Sequence, residues 1–290
     1  MRLIPTVSCV KHNLFVVGKQ VRNYGKIAYF KTYDALYSNP QTFDNYVFDN
    51  ARYRRSFLNL DADRSLVPSV SVPRKVYCFW TGDNPMSENR KKNLDIIQAT
   101  LKTAELVLVT PQNIHDYILE SHPLHPCYEY LSLVHKSDYL RAYFMHHYGG
   151  GYLDIKKITT DWTAAFDDLE SNAEKWAIGY PESHSKDVAR LTGRLGHDLR
   201  KYHKQLVGNG AYIFRSTSPF TYEWLHEQER RLDYFFPQAE RFSGGERGEI
   251  VGYPISWQDL LGRVFHPLCL KHNNRIMFDS NLKPEFTDYL

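Results

Sequence analysis

Apolar residues fall in short runs divided by turn residues along most of this chain. Arg74-Lys75-Val76-Tyr77-Cys78-Phe79-Trp80 reads as a first buried strand, stopped by Thr81-Gly82-Asp83-Asn84-Pro85. Ser87 predicts the cap of a helix running to about Lys102. Leu94, Ile97 and Leu101 lie on its inner face, and Glu88, Lys91 and Lys92 on its outer one. Glu105 to Val109 is a second strand, after which Thr110-Pro111 predicts a helix with Ile114 and Ile118 inward. This β-α-β-α order opens a doubly wound α/β sheet. A longer helix is expected from about Cys127 to His147, followed by a strand over Tyr152-Leu153-Asp154-Ile155. Trp176 to Tyr180 and Ala211 to Phe214 predict further strands, and polar, basic Ser183 to Gln205 a helix or mobile insertion. Ser218-Pro219 opens an amphipathic helix carrying Phe220, Trp224 and Leu225. Phe242 to Gly252 holds four glycines and predicts a mobile loop; Ile255 to His266 predicts a helix ended by Pro267.

The first 72 residues differ in character, being rich in Tyr, Asn, Arg and Lys with short apolar runs such as Leu14-Phe15-Val16-Val17. Lys11, Lys19, Arg22, Lys26 and Lys31 punctuate Phe15, Tyr24, Tyr29 and Phe30. A basic-aromatic surface of this kind suits an anionic membrane or a glycan acceptor. The alternative is a mainly helical extension packed on the following domain. Pro68 to Pro73 reads as an extended lead-in. The expected organisation is an extension over 1–72 and one α/β domain over 73–290.

Composition narrows the class of function. With 24% charged and 42% hydrophobic residues, the chain is an ordinary globular protein. Its formal charge of +3 suits an anionic ligand or a peripheral membrane contact and does not point to nucleic acid. The four cysteines, Cys9, Cys78, Cys127 and Cys269, form no CxxC pair, which argues against a zinc site and for a reducing compartment. Cys78, inside an apolar strand, reads as a buried thiol. No run of eighteen apolar residues and no signal peptide is apparent, so the expected location is cytoplasmic, at most on the inner face of a membrane.

The most informative stretch is His135 to Ile158. Asp138 and Arg141 are three residues apart and share a helix face. Gly149-Gly150-Gly151 allows a sharp turn and a close ligand approach. Asp154 then stands at a strand exit, where open α/β sheets bind ligands.

Ser137, Asp138, Arg141, Tyr148, Gly149, Gly150, Tyr152, Leu153 and Asp154 match, in order, the motif of the DXD-region sugar transferases. The chain thus resembles glycosyltransferase family 32, the capsular polysaccharide synthesis proteins and, more distantly, the glucosylating clostridial toxins. The resemblance implies a GT-A-like, Rossmann-type mixed sheet flanked by helices. It implies transfer of a hexose from a nucleotide-sugar, a UDP-sugar in that group, to a polysaccharide or lipid-linked glycan, with retention suggested by family 32. By the same resemblance Trp80 stacks on the base and Asp138 and Arg141 contact the donor sugar. Tyr152 lies beside the phosphate or ribose, and Asp154 is the first acid of a Mg²⁺ or Mn²⁺ site. Asn209, within Gly208-Asn209-Gly210-Ala211, is a candidate sugar contact, against the alternative of a simple turn. His266 and Lys271 are candidate phosphate contacts, and Asp259 and Glu246 candidate bases by position.

The second acid of the motif is here Lys156. A charged lysine cannot ligate a divalent cation, but it can neutralise a diphosphate as a point charge. If the strand continues, alternation puts Lys156 on the same face as Asp154 and Lys157 opposite. The expectation is metal-independent transfer, the alternative being solvated lysines with a metal held by another acid. Rival functions are an inactive nucleotide-sugar-binding relative, a sugar-phosphate transferase and a toxin-like enzyme acting on protein.

Overall fold

The computed structural model describes residues 19, 25–26, 28–35, 46–54, 56–60 and 65–287. Of the N-terminal features, Leu14 to Val17, Cys9, Lys11, Arg22 and Tyr24 lie outside the described residues.

Six strands form one mixed sheet: β1 (Lys75–Phe79), β2 (Glu105–Val109), β3 (Gly150–Leu153), β4 (Ala177–Pro181), β5 (Val207–Phe214) and β6 (Ile276–Phe278). Their order is β2-β1-β3-β5-β4-β6. β2, β1 and β3 run parallel, β5 is antiparallel to β3 and β4, and β6 is parallel to β4. The helices are α1 (Glu88–Thr100), α2 (Leu133–His147), α3 (Thr163–Ser171), α4 (Gly193–Lys201), α5 (Pro219–Ala239) and α6 (Gly262–Lys271). This is a Rossmann-like mixed α/β sheet flanked by helices, as the resemblance implies.

Alternation along each strand splits the apolar side chains between two cores. Tyr77, Phe79, Val107, Val109, Tyr152, Tyr212 and Phe214 point into a larger core with α2, α5 and α6. Val76, Cys78, Leu153, Ala211, Ile213 and Ile178 point into a smaller one with Ile97 of α1 and Phe166 of α3. Burial of Cys78 raises its thiol well above the usual range.

Helix α2 is the central pillar, with nine of its fifteen residues buried, so it has no solvent face of its own. It begins at Leu133 rather than near Cys127. Pro126–Tyr130 is a separate 3-10 turn, the chain extends at Leu131, and the Ser132 hydroxyl caps α2 by accepting from the N–H of His135. After α2 the chain reverses through Gly149 and Gly150, at φ 66° and 83°. A Cβ on Gly149 would lie 2.7 Å from the Ser216 nitrogen, and one on Gly150 2.7 Å from the Lys75 carbonyl oxygen. The turn therefore requires glycine both for its backbone angles and for its packing.

Three further expectations shift. The helix expected after Thr110-Pro111 is a single 3-10 turn, Ile114–Tyr117. The helix expected over 255–266 is α6, and Pro267 lies inside it. Gly208 to Ala211 is part of β5, not a turn before it. Residues 46–60 contribute Tyr46, Tyr53 and Leu58 to the larger core, and Arg52 and Tyr53 both bond the fully buried Asp198. The loop expected to be mobile is tied to α2, since the carbonyls of Gly245 and Glu246 accept from the N–H groups of Leu133 and Val134.

Candidate active site

β1 and β3 are parallel neighbours, so Trp80, one residue past β1, and Asp154, one residue past β3, emerge at the same sheet edge. β5 runs the other way and begins there, and β4 ends there. The edge is thus built from strand carboxyl ends and the start of one antiparallel strand, the usual place for a ligand in such sheets.

Asp154 is the centre of the site. Its N–H donates to the Gly210 carbonyl at 2.8 Å, which ties the strand exit to β5. Its Oδ1 accepts from the Tyr152 hydroxyl at 2.7 Å and from Arg141 Nη2 at 3.2 Å. Its Oδ2 accepts from the Lys156 ammonium in a very short contact. Burial alone would raise this carboxyl, but Lys156 and Arg141 outweigh it and hold it below the usual carboxylate range. Tyr152, Asp154 and Lys156 come together as expected, but not by alternation: β3 ends at Leu153, the chain bends after Asp154, and the Lys156 N–H donates to the Asp154 carbonyl at 2.6 Å.

Arg141 reaches this point from α2. Its guanidinium packs over the Tyr152 ring, 4.4 Å from the centroid, and donates to the Asn209 carbonyl at 2.9 Å. Asp138, one helical turn earlier and 2% exposed, lies 3.7 Å from the same guanidinium. Desolvation raises its carboxyl to about 7, against the pull of Arg141. With Asp138 protonated, two cations surround one anion. The cluster then carries a surplus positive charge; with Asp138 ionised, its two cations and two anions balance.

Two cavities open at this edge. One, of about 470 Å³, is lined by Trp80, Asn84, His115, Tyr128 and Lys136 among others. The Trp80 indole N–H donates to the Asn84 carbonyl at 2.9 Å, and Arg90 lies over the ring at 5.4 Å, so the indole is fixed in orientation. The other cavity, of about 400 Å³, is lined by Asp154, Tyr180, Glu182, His184, Asn209 and Phe286 among others. The Asn209 side-chain oxygen is buried there without a hydrogen-bond partner, and the Lys156 ammonium lies 4.7 Å from the Phe286 ring centre.

The structure brings together Asp138, Arg141, Tyr152, Asp154, Lys156 and Asn209, and sets Trp80 on the neighbouring strand end. It does not bring in the C-terminal candidates. Lys271 donates to the Leu58 carbonyl at 2.8 Å and to Glu223 at 2.6 Å, so it fastens the N-terminal segment to α5 and is no phosphate contact. His266 is fully buried and faces Glu182 rather than the opening. Asp259 pairs with Arg263 at 2.6 Å and accepts from the Ser256 N–H at 2.9 Å, a closing role at the start of α6. Glu246 offers its backbone carbonyl to α2. The reading of the sequence missed Glu182, Tyr180 and Phe286. Glu182 carried the same signal as Asp154, an acid directly after a strand, hidden behind Pro181.

A family model described as capsular polysaccharide synthesis protein matches residues 44–239, about two thirds of the chain. Neither a curated protein nor a solved structure matches.

Proposed function

The chain belongs to the capsular polysaccharide synthesis protein family, and from that premise we propose that it is a hexosyltransferase. It moves a hexose from a UDP-sugar to a polysaccharide or lipid-linked glycan acceptor, without a metal. The observation that carries this reading is the Asp154 cluster, in which Arg141 and Lys156 meet one carboxylate at the second cavity, on the sheet edge where Trp80 also emerges.

Each part of a nucleotide-sugar finds a chemically matched partner. Trp80 offers an oriented aromatic face to the base, a contact worth roughly 1–3 kcal/mol in base-stacking sites. Lys156 and, behind it, Arg141 supply the charge that meets the diphosphate. Asp138 accepts from hexose hydroxyls, and the unpartnered Asn209 oxygen offers a further acceptor in the second cavity.

The family resemblance implies a divalent cation held by two acids. The residues here do not fit one. A lysine stands at the second position, and both oxygens of Asp154 already accept from Lys156, Arg141 and Tyr152. The cation's task of offsetting charge on the leaving diphosphate falls to Lys156 and Arg141. Among the described residues no helix is long and apolar enough to cross a membrane. A lipid-linked acceptor would therefore be met by this region at a membrane surface or in solution.

Incubation with a panel of nucleoside diphosphate hexoses in EDTA, with chromatography of the released nucleotide, tests the reading. One donor should yield nucleoside diphosphate, and Asp154→Asn should lose at least about 100-fold of that rate, as for removal of a group aimed at the reacting centre. Release of nucleoside monophosphate would select sugar-phosphate transfer instead. Binding without release would select an inactive relative.

A further inference from the structure

The second cavity holds a carboxylate that the donor site does not use. Glu182 follows β4 directly, is 8% exposed and shares the cavity with Asp154. Its N–H donates to the Leu206 carbonyl at 2.9 Å, which fixes the backbone at the cavity wall. Behind it lies His266 of α6, with no solvent exposure. The His266 Nδ1 accepts from the Ala189 N–H at 3.0 Å. With Nδ1 accepting, Nε2 is the ring nitrogen that carries a proton; it lies 3.4 Å from the Glu182 Oε1, a contact without hydrogen-bond geometry, and has no hydrogen-bond partner. Among the described residues His266 is the one ion-pair partner of Glu182.

This setting differs from that of the other acids. Asp154 is saturated by two cations and a hydroxyl, and Asp259 is tied to Arg263. Glu182 faces the His266 Nε2 at 3.4 Å through one oxygen and has no lysine or arginine partner among the described residues. A carboxylate 8% exposed, in the cavity that Asp154 also lines, has the makings of a general base.

We propose that Glu182 takes the proton of the acceptor hydroxyl, that His266 positions it, and that transfer inverts the anomeric configuration, against the retention that the family 32 resemblance suggests; the proposal rests on the transferase reading above. In the step, the acceptor oxygen bonds to the anomeric carbon as the bond from that carbon to the phosphate oxygen breaks. The bonding pair leaves with the nucleoside diphosphate, whose added charge meets Lys156 and Arg141. The acceptor proton passes to a Glu182 oxygen. A single displacement of this kind turns an α-linked donor into a β-glycoside. The second cavity is then the acceptor site.

The test uses small nucleophiles, so the natural acceptor need not be known. The full chain is incubated with its UDP-α-hexose and either methanol or azide, and the glycosides are read by NMR. Methanol must lose a proton to react, whereas azide is already an anion. The wild type should give the β-methyl glycoside. Glu182→Gln should lower methyl glycoside formation by about 10²–10⁴-fold, the usual share of a general base. It should leave glycosyl azide formation and the donor-induced rise in Tm nearly unchanged. His266→Ala should lower kcat with methanol at unchanged donor KM, and azide should erase that loss. An α-methyl glycoside would overturn the base assignment and leave the transferase reading standing. Equal loss with methanol and azide at normal donor binding would do the same. Failure of every nucleotide-sugar to bind or turn over would overturn both.

Discussion

Replacing Lys156 by Met removes the charge that stands where the family motif has its second acid, while keeping most of the stem's packing. In the wild type the ammonium contacts Asp154 Oδ2, and the two side chains are 11% and 20% exposed. Two unit charges about 4 Å apart attract by roughly 4 kcal/mol at the effective dielectric of a protein near its surface. Breaking a buried pair costs about 3–5 kcal/mol when the remaining charge is left alone. Here Asp154 keeps Arg141 at 3.2 Å and Tyr152 at 2.7 Å, so the loss falls below that range. We expect about 2 kcal/mol, or a fall in Tm of roughly 5 °C for a domain of this size. Catalysis should suffer more than stability. Loss of one preorganised positive group at the leaving diphosphate should lower turnover about 10²–10³-fold, as when one donor is removed from an oxyanion site. Scanning fluorimetry and nucleoside diphosphate release, both in EDTA, give the two readings. Lys156→Arg, which keeps the charge, should recover part of the rate. Wild-type turnover in Lys156→Met would refute the role given to this lysine. So would loss of wild-type turnover in EDTA with recovery on adding Mn²⁺.

Trp80→Ala should weaken UDP binding by about 1–3 kcal/mol, with Trp80→Phe intermediate, as read by titration calorimetry; unchanged affinity would move the base elsewhere. Burial raises Asp138 from 3.8 when unfolded to about 7 when folded, so the folded state holds a proton that the unfolded state has lost between those values. The group's contribution is therefore full below about pH 4 and lost as pH rises towards 7, and Asp138→Asn should flatten that decline in urea unfolding at pH 5 and 8. The same ionisation removes the cluster's surplus charge, so UDP affinity in EDTA should fall between pH 6 and 8. Lys271→Met should lower Tm through the lost contacts to Leu58 and Glu223 while leaving UDP affinity unchanged; weaker UDP binding at unchanged Tm would return it to the donor site.

The parts of the fold that were legible in the sequence are those set by local pattern. The strands carry apolar runs bounded by turn residues, and the glycine turn is forced by backbone angle. Asp138 and Arg141 are legible because a spacing of three fixes a shared helix face, whereas Lys156 meets Asp154 through a bend beyond β3 rather than through a period of two. The misread parts depend on distant partners. Pro267 was taken as a stop, yet α6 carries it as its sixth residue, because the Arg263 carbonyl that proline leaves unbonded is approached by Arg231 of α5 at 3.5 Å. The sequence reading starts α2 near Cys127, whereas the actual cap is Ser132, held also by Tyr253. His266 and Lys271 were assigned to phosphate by their charge and place in the chain. Their burial and partners, Glu182 for one and Glu223 with Leu58 for the other, come from elements far away in sequence. Glu182 shows the reverse case, a local signal passed over because nothing near it in sequence announced the buried histidine behind it.

The central claim is that a cationic cluster around Asp154 holds a nucleoside diphosphate without a metal. Calorimetric titration of UDP into the protein, once in EDTA and once with Mn²⁺, tests it most directly. The account predicts binding in EDTA, scarcely changed by Mn²⁺ and lost in Lys156→Met. Binding that appears only with Mn²⁺ would contradict it.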